Sequence, residues 1–422
     1  MKRLLPLFLS LTLLCAGCGA PSPAPGSSAS APAESSGSAP DASVEAAASS
    51  EAPDTALAEE GDPADSYTMD KSFTTGGREL TVRLHGTIDR SDGYERCGVY
   101  RMEILEGDAV LQTLSVKDAI DAACAADGVE NYGGEDRTNY FTIDSGQALE
   151  DLNFDGCPDL RLIWRLGTVN ASYLCWLWEP DASRFSYAFE LVGFDLTVDE
   201  ATQQIITQAR DGWGVYYTDC YRYDNDAGKL LHTSQSVENF RLEDGAEPDD
   251  ALVSVWEYLP NVSVELKYAT ADNFTGQVIY DSENARLRFG TLQKLQKAQD
   301  QLGAEGYRLL IWDAYRPVEA QWKLWELCPD PNFVSDPNQG FSRHSRGNSA
   351  DVTLVTLDGD AVEMPSGFDE FSLLADRDYS DVSAAARANA ERLEQAMTAA
   401  GFQGYAKEWW HFTATTDYPV IQ

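Results

Sequence analysis

The pattern of apolar and polar positions changes along the chain near residue 250. Between 67 and 242 apolar and polar residues alternate in short runs such as ELTVRLHGTI, VYRMEIL, LRLIWRL and FSYAFELV, with turn residues between them. Alternation with a period of two predicts strands, and many strands at short spacing predict a β-rich domain, either a sandwich or a half-propeller. We therefore expect a β-rich accessory domain at 67–245.

Beyond residue 250 the chain mixes helical and strand periods. Leu292, Leu295 and Leu302 recur near one face of a helix predicted over 285–302, which Gly303 ends. The elements expected after it are a strand, a helix, a strand, a helix and a strand: 307–312, 318–327, 351–355, 384–400 and 405–413. In the same region Asp358-Gly359 is a hairpin signal. A second domain of helices and strands is therefore expected at 250–422.

The first residues have the pattern of an export signal. Lys2 and Arg3 precede an apolar run over 4–14, which leads into Cys-Ala-Gly-Cys. The run is too short to anchor the chain across a bilayer, and the small residues are typical of a cleavage site. We predict a bacterial lipoprotein signal peptide at 1–18, with Cys18 lipidated and the protein anchored outside the cytoplasm by lipid alone. Cys15 stands where Leu is usual, and ordinary secretion with cleavage nearby is the alternative.

Residues 19–66 are rich in Ala, Ser, Pro and Glu, and no Lys or Arg occurs between Arg3 and Lys71. Such a segment has too little apolar surface to offset the entropy of ordering, so we expect a disordered tether. The formal net charge of −38 argues against a nucleic-acid partner, because no basic stripe is present to displace counterions from phosphates. Nothing in the sequence indicates oligomerisation, and a monomer is the default expectation.

Six cysteines follow the predicted signal peptide: Cys97, Cys124, Cys157, Cys175, Cys220 and Cys328. An even number in an exported chain permits disulfides without fixing any pairing. Five of the six belong to the β-rich part, so at least one is either free or bridges the two domains. The absence of C-x-x-C among them argues against a cysteine zinc site.

One loop of the β-rich part carries oxygen side chains at Asp151, Asn153, Asp155 and Asp159, with Gly156 allowing a sharp turn. Oxygen-rich loops of this kind bind calcium, and the spacing resembles the D-x-N-x-D-G-x-x-D loops of β-propellers and related surface proteins. A glutamate at the twelfth position, as in an EF-hand, is missing. We predict a structural calcium site here, and a simple Asp/Asn/Gly turn between two strands is the alternative.

The second domain contains a candidate metal site. The chain has only four histidines, and one of them, His344, lies seven residues before Asp351, across a glycine-containing turn. A second, His411, closes a Glu-x-x-His motif that begins at Glu408. Two imidazoles and one carboxylate suit a catalytic zinc ion, which takes three protein ligands and leaves one position for water. The alternative is that His344, flanked by arginines, is a solvated loop residue.

These motifs resemble a known enzyme family. HSRGNSAD, a DG turn, GFDEF and EWWH, preceded by LKYATADNFTG and WDAYRP, occur in one order over about 160 residues. The set is similar to the zinc D-alanyl-D-alanine dipeptidases of the VanX type, in peptidase family M15, and the similarity stops before about residue 250. The resemblance implies an α+β fold, with an antiparallel sheet and flanking helices, of the D-Ala-D-Ala metallopeptidase or Hedgehog-like kind.

The resemblance also implies roles for individual residues. Zinc would be bound by His344, Asp351 and His411, and Glu408 would act as the general base. Arg316 would stabilise the oxyanion, and Pro317 holds it in an extended segment after a strand. Two further residues would bind the free ammonium of the substrate: Asp369, with help from Ser342. Without the resemblance, Arg316 would be a surface or ion-paired arginine, which is the commoner fate of such a residue, and Asp369 would be one exposed acid among many.

Glu408 and His411 set a geometric constraint. Residues three apart face opposite sides of a regular strand, so the two side chains could not both reach one ion. We therefore predict a turn or bulge at Glu408, because the aromatic run around it favours a strand over a helix.

The expected function is hydrolysis of the D-Ala-D-Ala dipeptide outside the cytoplasm, in cell-wall turnover or salvage. One alternative is a D,D-carboxypeptidase that acts on peptidoglycan stem peptides, and a second is a catalytically inactive wall-binding lipoprotein. A closed pocket with Asp369 at its end would favour the dipeptidase, and an open groove would favour the carboxypeptidase.

Overall fold

The computed structural model describes residues 65–90, 93, 95–131, 134–139 and 146–422. The predicted signal peptide, with Cys18, and the predicted tether through residue 64 lie outside the described residues. Within the described part of the chain, no helix combines the length and the apolar character needed to cross a membrane.

Three four-stranded sheets follow one another in the β-rich part, and in each the strands pair in chain order. The first contains β1 (Ser66–Thr75), β2 (Arg78–Asp89), β3 (Arg96–Glu106) and β4 (Ala109–Ser115). After helix α1 (Val116–Ala126), the second contains β5 (Gln147–Glu150), β6 (Asp159–Leu166), β7 (Ala171–Glu179) and β8 (Arg184–Gly193). The third contains β9 (Asp195–Asp199), β10 (Gln204–Arg210), β11 (Val215–Asp224) and β12 (Lys229–Asn239). Every pairing between these neighbouring strands is antiparallel.

The second sheet is buried on both faces, and β7 shows why. Its Leu174, Trp176 and Trp178 pack in one core with the first sheet and α1. The alternate residues Tyr173 and Cys175 pack in another core with residues of the third sheet. A strand covered on both sides needs apolar residues at successive positions, which explains the unbroken run YLCWLW. Three sheets in series exclude a two-sheet sandwich, and a four-stranded meander is the unit from which propeller blades are built.

The C-terminal part is built on one five-stranded sheet in the order β14-β16-β17-β19-β18. Its strands are β14 (Ser263–Val264), β16 (Tyr307–Asp313), β17 (Ser349–Thr356), β18 (Phe402–Tyr405) and β19 (Glu408–Ala414). Two short strands form a separate pair: β13 (Leu252–Ser254) and β15 (Arg286–Arg288). The helices are α2 (Val255–Tyr258), α3 (Phe289–Ala304), α4 (Val318–Leu327) and α5 (Ala384–Ala399). Residues of α3 and α5 share one hydrophobic core with the sheet.

The structure corrects four details of the expected elements. Helix α3 begins at Phe289 rather than 285, because 286–288 pairs with β13. The sheet is antiparallel except for one pair, since β14 runs parallel to β16. The predicted final strand is two strands, β18 and β19, joined by a short turn. The Asp358-Gly359 turn is followed by a single bridge, Val355 to Ala361, instead of a full hairpin.

The β-rich and C-terminal parts pack on each other through β12 and α3. A Cβ atom on Gly303 of α3 would lie 2.8 Å from the carbonyl oxygen of Gln235 on β12, so only glycine allows this close approach. Nearby, the Asn239 side-chain amide donates to Oε1 of Gln296 at 3.1 Å. The six cysteines after the predicted signal peptide are all free thiols in the structure, so their even number does not reflect disulfide pairs.

Candidate active site

Three short elements bring the predicted metal ligands together. A 3₁₀ turn over Arg343–Arg346 carries His344. Ser342 caps this turn, because its Oγ accepts the His344 N–H at 3.3 Å. Gly347 ends the turn with a φ of 72°, a conformation that glycine adopts without strain. Strand β17 then carries Asp351 to a position directly opposite His411 of β19. Cross-strand partners have neighbouring side chains, so the register of the sheet places these two ligands together.

The ligand atoms of these residues have the spacing of a metal site. Nε2 of His344 lies 3.1 Å from Nδ1 of His411, which lies 2.9 Å from Oδ1 of Asp351. The third edge, His344 Nε2 to Asp351 Oδ1, is 3.4 Å. Ligands about 2.0 to 2.1 Å from a tetrahedral ion are about 3.3 Å apart, so one ion fits among the three atoms. In the described ranges this is the one group of three or more His, Cys, Asp or Glu residues with ligand atoms within 4.8 Å.

Hydrogen bonds orient the two imidazoles. Nδ1 of His344 lies 2.7 Å from the carbonyl oxygen of Ala314. A carbonyl only accepts, so Nδ1 carries the proton and Nε2 is left free to bind a metal. On the other ring, Nε2 of His411 lies 3.1 Å from Oγ1 of Thr413, which leaves Nδ1 facing the site. Such outer contacts fix the rings of metal ligands.

The charges in and around the cluster favour the binding of a cation. Burial raises the pKa of Asp351, but His344 and His411 outweigh it and hold that pKa well below its usual range. Burial lowers the pKa of His344, but the carboxylates of Asp351 and Asp313 outweigh it and raise the value above normal. An ionised buried carboxylate attracts either a metal ion or a proton held on imidazole. Metal binding and protonation therefore compete at this site.

The predicted bulge at Glu408 is confirmed. Gly404 of β18 pairs with Phe412, but the next residue, Tyr405, pairs with Glu408. Three residues of β19 therefore lie between these two pairs and form the bulge. The distortion turns Glu408 and His411 towards the same side, with Oε2 and Nδ1 4.0 Å apart. Burial raises the pKa of Glu408 above its ordinary value.

Sequence reasoning missed Arg377, which supports this bulge. Its Nη2 donates to the carbonyl oxygens of Trp409 and His411, both at 3.0 Å, and its Nε donates to that of Tyr405 at 2.9 Å. The bulge leaves these carbonyls without regular strand partners, and one guanidinium satisfies them together. No sequence motif marks Arg377, which lies far from the strand it supports.

Arg316 lines the cavity that contains the His-Asp-His cluster, and a buried hydrogen-bond network holds its guanidinium in place. Its Nη2 and Nε donate to Oδ2 of Asp313 at 2.6 and 3.2 Å, and its Nη1 donates to Oε1 of Gln321 at 3.1 Å. Asp313 also accepts a hydrogen bond from the Tyr280 hydroxyl. Arg316 is therefore a buried, ion-paired arginine, and only the alternative that places it on the surface is wrong. Asp313 was missed in the sequence, although it lies three residues before Arg316 in the WDAYRP motif.

The cavity at the cluster has a volume of about 280 Å³, and it is lined by Tyr268, Arg316, Pro331, Asn332, Phe333, Val334, Ser335, Ser342, Arg343, His344, Asp351, Asp369, Tyr405, Glu408 and His411. Asp369 adopts a left-handed φ of 52° and accepts a hydrogen bond from the Tyr268 hydroxyl at 2.6 Å. Burial raises the pKa of Asp369 to about 8. The expectation of an exposed acid at this position is wrong, and Tyr268 is a further lining residue that the sequence did not reveal.

A larger cavity of about 570 Å³ lies in the β-rich part next to Asn153 and Asp155, and no histidine lines it. The oxygens of this predicted calcium loop bond to backbone amides. Asp159 accepts from the amides of Trp178 and Leu152, both at 2.8 Å, and Asp151 accepts from that of Gly156 at 2.9 Å. These contacts are typical of an Asp/Asn/Gly turn, and the calcium site stays a prediction.

A buried His-Asp-His cluster beside a glutamate, in a small cavity, is the site of a metallopeptidase. The model of the Peptidase_M15 family, described as D-ala-D-ala dipeptidase, matches residues 249–420. The D-alanyl-D-alanine dipeptidase of Escherichia coli is 40% identical over 172 residues, which cover 40% of this chain and 89% of that protein. That of Enterococcus faecium is 34% identical over 184 residues, with 39% and 91% covered, and that of Enterococcus faecalis is 36% identical over 177, with 37% and 87% covered. Through its C-terminal part, the chain belongs to the M15 family of dipeptidases.

Proposed function

We propose that this protein is a zinc-dependent dipeptidase that hydrolyses D-Ala-D-Ala outside the cytoplasm, in cell-wall turnover or salvage. The observation that carries the proposal is the convergence of His344, Asp351 and His411 beside Glu408 in one cavity. Two nitrogens and one oxygen at these spacings suit zinc. Bound there, zinc would lower the pKa of a water molecule and polarise the scissile carbonyl.

Glu408 is the general base of the proposed reaction. It takes one proton from the water as the water oxygen adds to the carbonyl carbon. It then delivers that proton to the leaving nitrogen as the carbon–nitrogen bond breaks. The raised pKa of Glu408, which follows from its burial, favours both transfers because it brings the carboxyl closer to neutral pH.

Arg316 stabilises the negative charge that develops on the carbonyl oxygen. Asp313 and Gln321 already hold the guanidinium, so little reorganisation is needed during the reaction. The guanidinium also lies over the Tyr268 ring, 5.1 Å from its centroid, which restricts its position further.

Asp369 supports a dipeptide rather than a longer peptide as the substrate. A free ammonium group is the partner that would offset the cost of ionising this buried carboxyl. In a stem peptide the corresponding nitrogen is an amide without charge, and an ionised Asp369 would stay unpaired. The cavity, at about 280 Å³, is also slightly smaller than the usual range for ligand pockets, which suits a small substrate.

The proposed location rests on the N-terminal pattern of Lys2, Arg3, an apolar run and Cys18. An exported enzyme meets the dipeptide only outside the cytoplasm, which is why turnover or salvage is proposed. Cell fractionation tests this part: the protein should sediment with membranes, and Cys18→Ser should release it. Recovery of the unaltered protein from the cytoplasm would contradict the proposed location.

Hydrolysis is tested by incubating the purified protein with D-Ala-D-Ala and, separately, with a pentapeptide stem, each with and without a chelator. We expect chelator-sensitive release of D-Ala from the dipeptide only. Release from the pentapeptide would indicate the carboxypeptidase instead, and no release from either would indicate an inactive domain. Glu408→Ala should keep zinc and lose turnover, whereas Glu391→Ala on the exposed side of α5 should keep both.

A further inference from the structure

Two arginines line the cavity that contains the metal ligands: Arg316 and Arg343. Arg316 is buried, and its guanidinium is hydrogen-bonded to Asp313 and Gln321. Arg343 is different, since its side chain is 54% exposed and its ion-pair partner is Asp417, whose side chain is 72% exposed. Exposed pairs of this kind contribute little to stability and exchange partners readily. The guanidinium of Arg343 is therefore available to another carboxylate.

Arg343 lies where the cavity of the metal ligands adjoins a second cavity. A second cavity, of about 470 Å³, adjoins the first, because Arg343, Tyr405 and His411 line both. Asp369 lines the first of these two cavities but not the second. A molecule that extends from Asp369 past the metal ligands towards the second cavity would therefore meet Arg343.

A free dipeptide carries an ammonium at one end and a carboxylate at the other. We propose that Arg343 binds the C-terminal carboxylate of the substrate, while Asp369 faces the ammonium and the scissile bond lies at the metal ligands between them. This inference rests on the proposed function and adds to it the residue that recognises the free C-terminus of the dipeptide. Nη1 of Arg343 donates to Oδ1 of Asp417 at 2.8 Å, and the substrate carboxylate would take the place of Asp417.

The planar guanidinium can hold both oxygens of a carboxylate at once, and hydrogen bonds between charged groups are the strong ones. Loss of such a contact weakens binding by about 10- to 100-fold. The contact is made equally in the ground state and in the transition state, because the carboxylate does not react. Its loss should therefore raise KM and leave kcat nearly unchanged.

The test compares D-Ala-D-Ala with D-Ala-D-alaninamide, which lacks the terminal charge, as substrates of the full-length zinc-loaded protein. Arg343→Ser is expected to raise KM for the dipeptide about 10- to 100-fold and to leave KM for the amide unchanged. Arg343→Lys should recover part of the loss. Arg387→Ser is the matched control, because Arg387 is 55% exposed and paired with Glu391 at 2.8 Å on α5, away from both cavities. An equal effect of Arg343→Ser on both compounds, or none on either, would overturn the proposal.

Binding measurements separate this inference from the proposed function. Calorimetry with the zinc-loaded Glu408→Gln protein gives affinities for the dipeptide and the amide without turnover. If the unaltered protein hydrolyses neither compound, the proposed function fails. The carboxylate contact would still be supported if Arg343→Ser weakened binding of the dipeptide by at least about tenfold and left binding of the amide unchanged. Equal affinities for dipeptide and amide in the Glu408→Gln protein would overturn it.

Discussion

Glu408 and His411 are three residues apart on one strand, yet Oε2 of the first lies 4.0 Å from Nδ1 of the second. The bulge in β19 makes this possible, because it turns both side chains to the face that carries Asp351. Arg377 satisfies the carbonyl oxygens that the bulge exposes. The geometry of the candidate site thus depends on an arginine that does not line its cavity.

Replacing Arg377 should disturb both the fold and the site. Arg377→Met removes three hydrogen bonds to carbonyl oxygens, and we expect a loss of about 2 to 4 kcal/mol in the free energy of unfolding. Zinc content should fall as well, because His411 belongs to the same bulge. Urea unfolding and metal analysis measure the two effects, with Arg387→Met on α5 as the control. A variant with normal stability and normal zinc content would show that the bulge forms without Arg377.

Asp313 should act on the reaction through Arg316. Asp313→Asn leaves one weaker acceptor for the guanidinium, so Arg316 is less well positioned for the oxyanion, and kcat should fall about 10- to 100-fold. KM should change little, since the effect is on the transition state. Tyr280→Phe removes only the hydroxyl that bonds to Asp313 and should have a smaller effect. The idea fails if the Asp313→Asn protein, with its full zinc content, turns over at the normal rate.

Asp369 should lower stability at neutral pH. Its pKa is about 8 in the folded protein, and that of an unfolded aspartate is about 3.9. Between these values the unfolded chain releases a proton that the folded protein keeps, so stability falls as pH rises through this window. Asp369→Asn should therefore raise the free energy of unfolding by about 1 to 3 kcal/mol at pH ~7.5 and by little at pH ~4. The same variant should lose dipeptidase activity.

Urea unfolding of chelator-treated protein at the two pH values checks this expectation, because it removes metal binding from the comparison. Asp360→Asn, at an exposed position of the turn after β17, is the matched control. A gain of the same size at both pH values would mean that ionisation of Asp369 is not the cause.

Zinc should stabilise the folded protein, since the three ligands come together only there. At a free zinc concentration about 1,000 times Kd, the gain is about 4 kcal/mol. Chelation should therefore lower Tm, and Asp351→Asn should abolish the shift. Below neutral pH zinc affinity should fall steeply, because the raised pKa of His344 makes protons stronger competitors. Thermal scans with and without zinc at several pH values measure this; a chelator that leaves Tm unchanged would argue against the metal site.

The local pattern of the sequence predicts many elements correctly. Helix α4 has the predicted bounds, and α5 and β16 differ from the prediction by one residue at one end. The predicted start of helix α3 lies four residues too early, because β15 forms by pairing with the distant β13, which no local pattern reveals. The same holds for the division of the last predicted strand, where the turn between β18 and β19 has no glycine or proline.

The sequence by itself predicted which residues form the candidate metal site, since two of only four histidines occur in motifs with an acid at fixed spacing. It also determined that Glu408 needs a bulge, because that follows from the two-residue period of a strand. Only the tertiary structure decided what holds these groups in place: Asp313 beside Arg316, Arg377 under the bulge and Tyr268 on Asp369. The physical reason is that hydrogen bonds and burial act between residues that are close in space, and two of these three contacts join residues that are far apart in the chain.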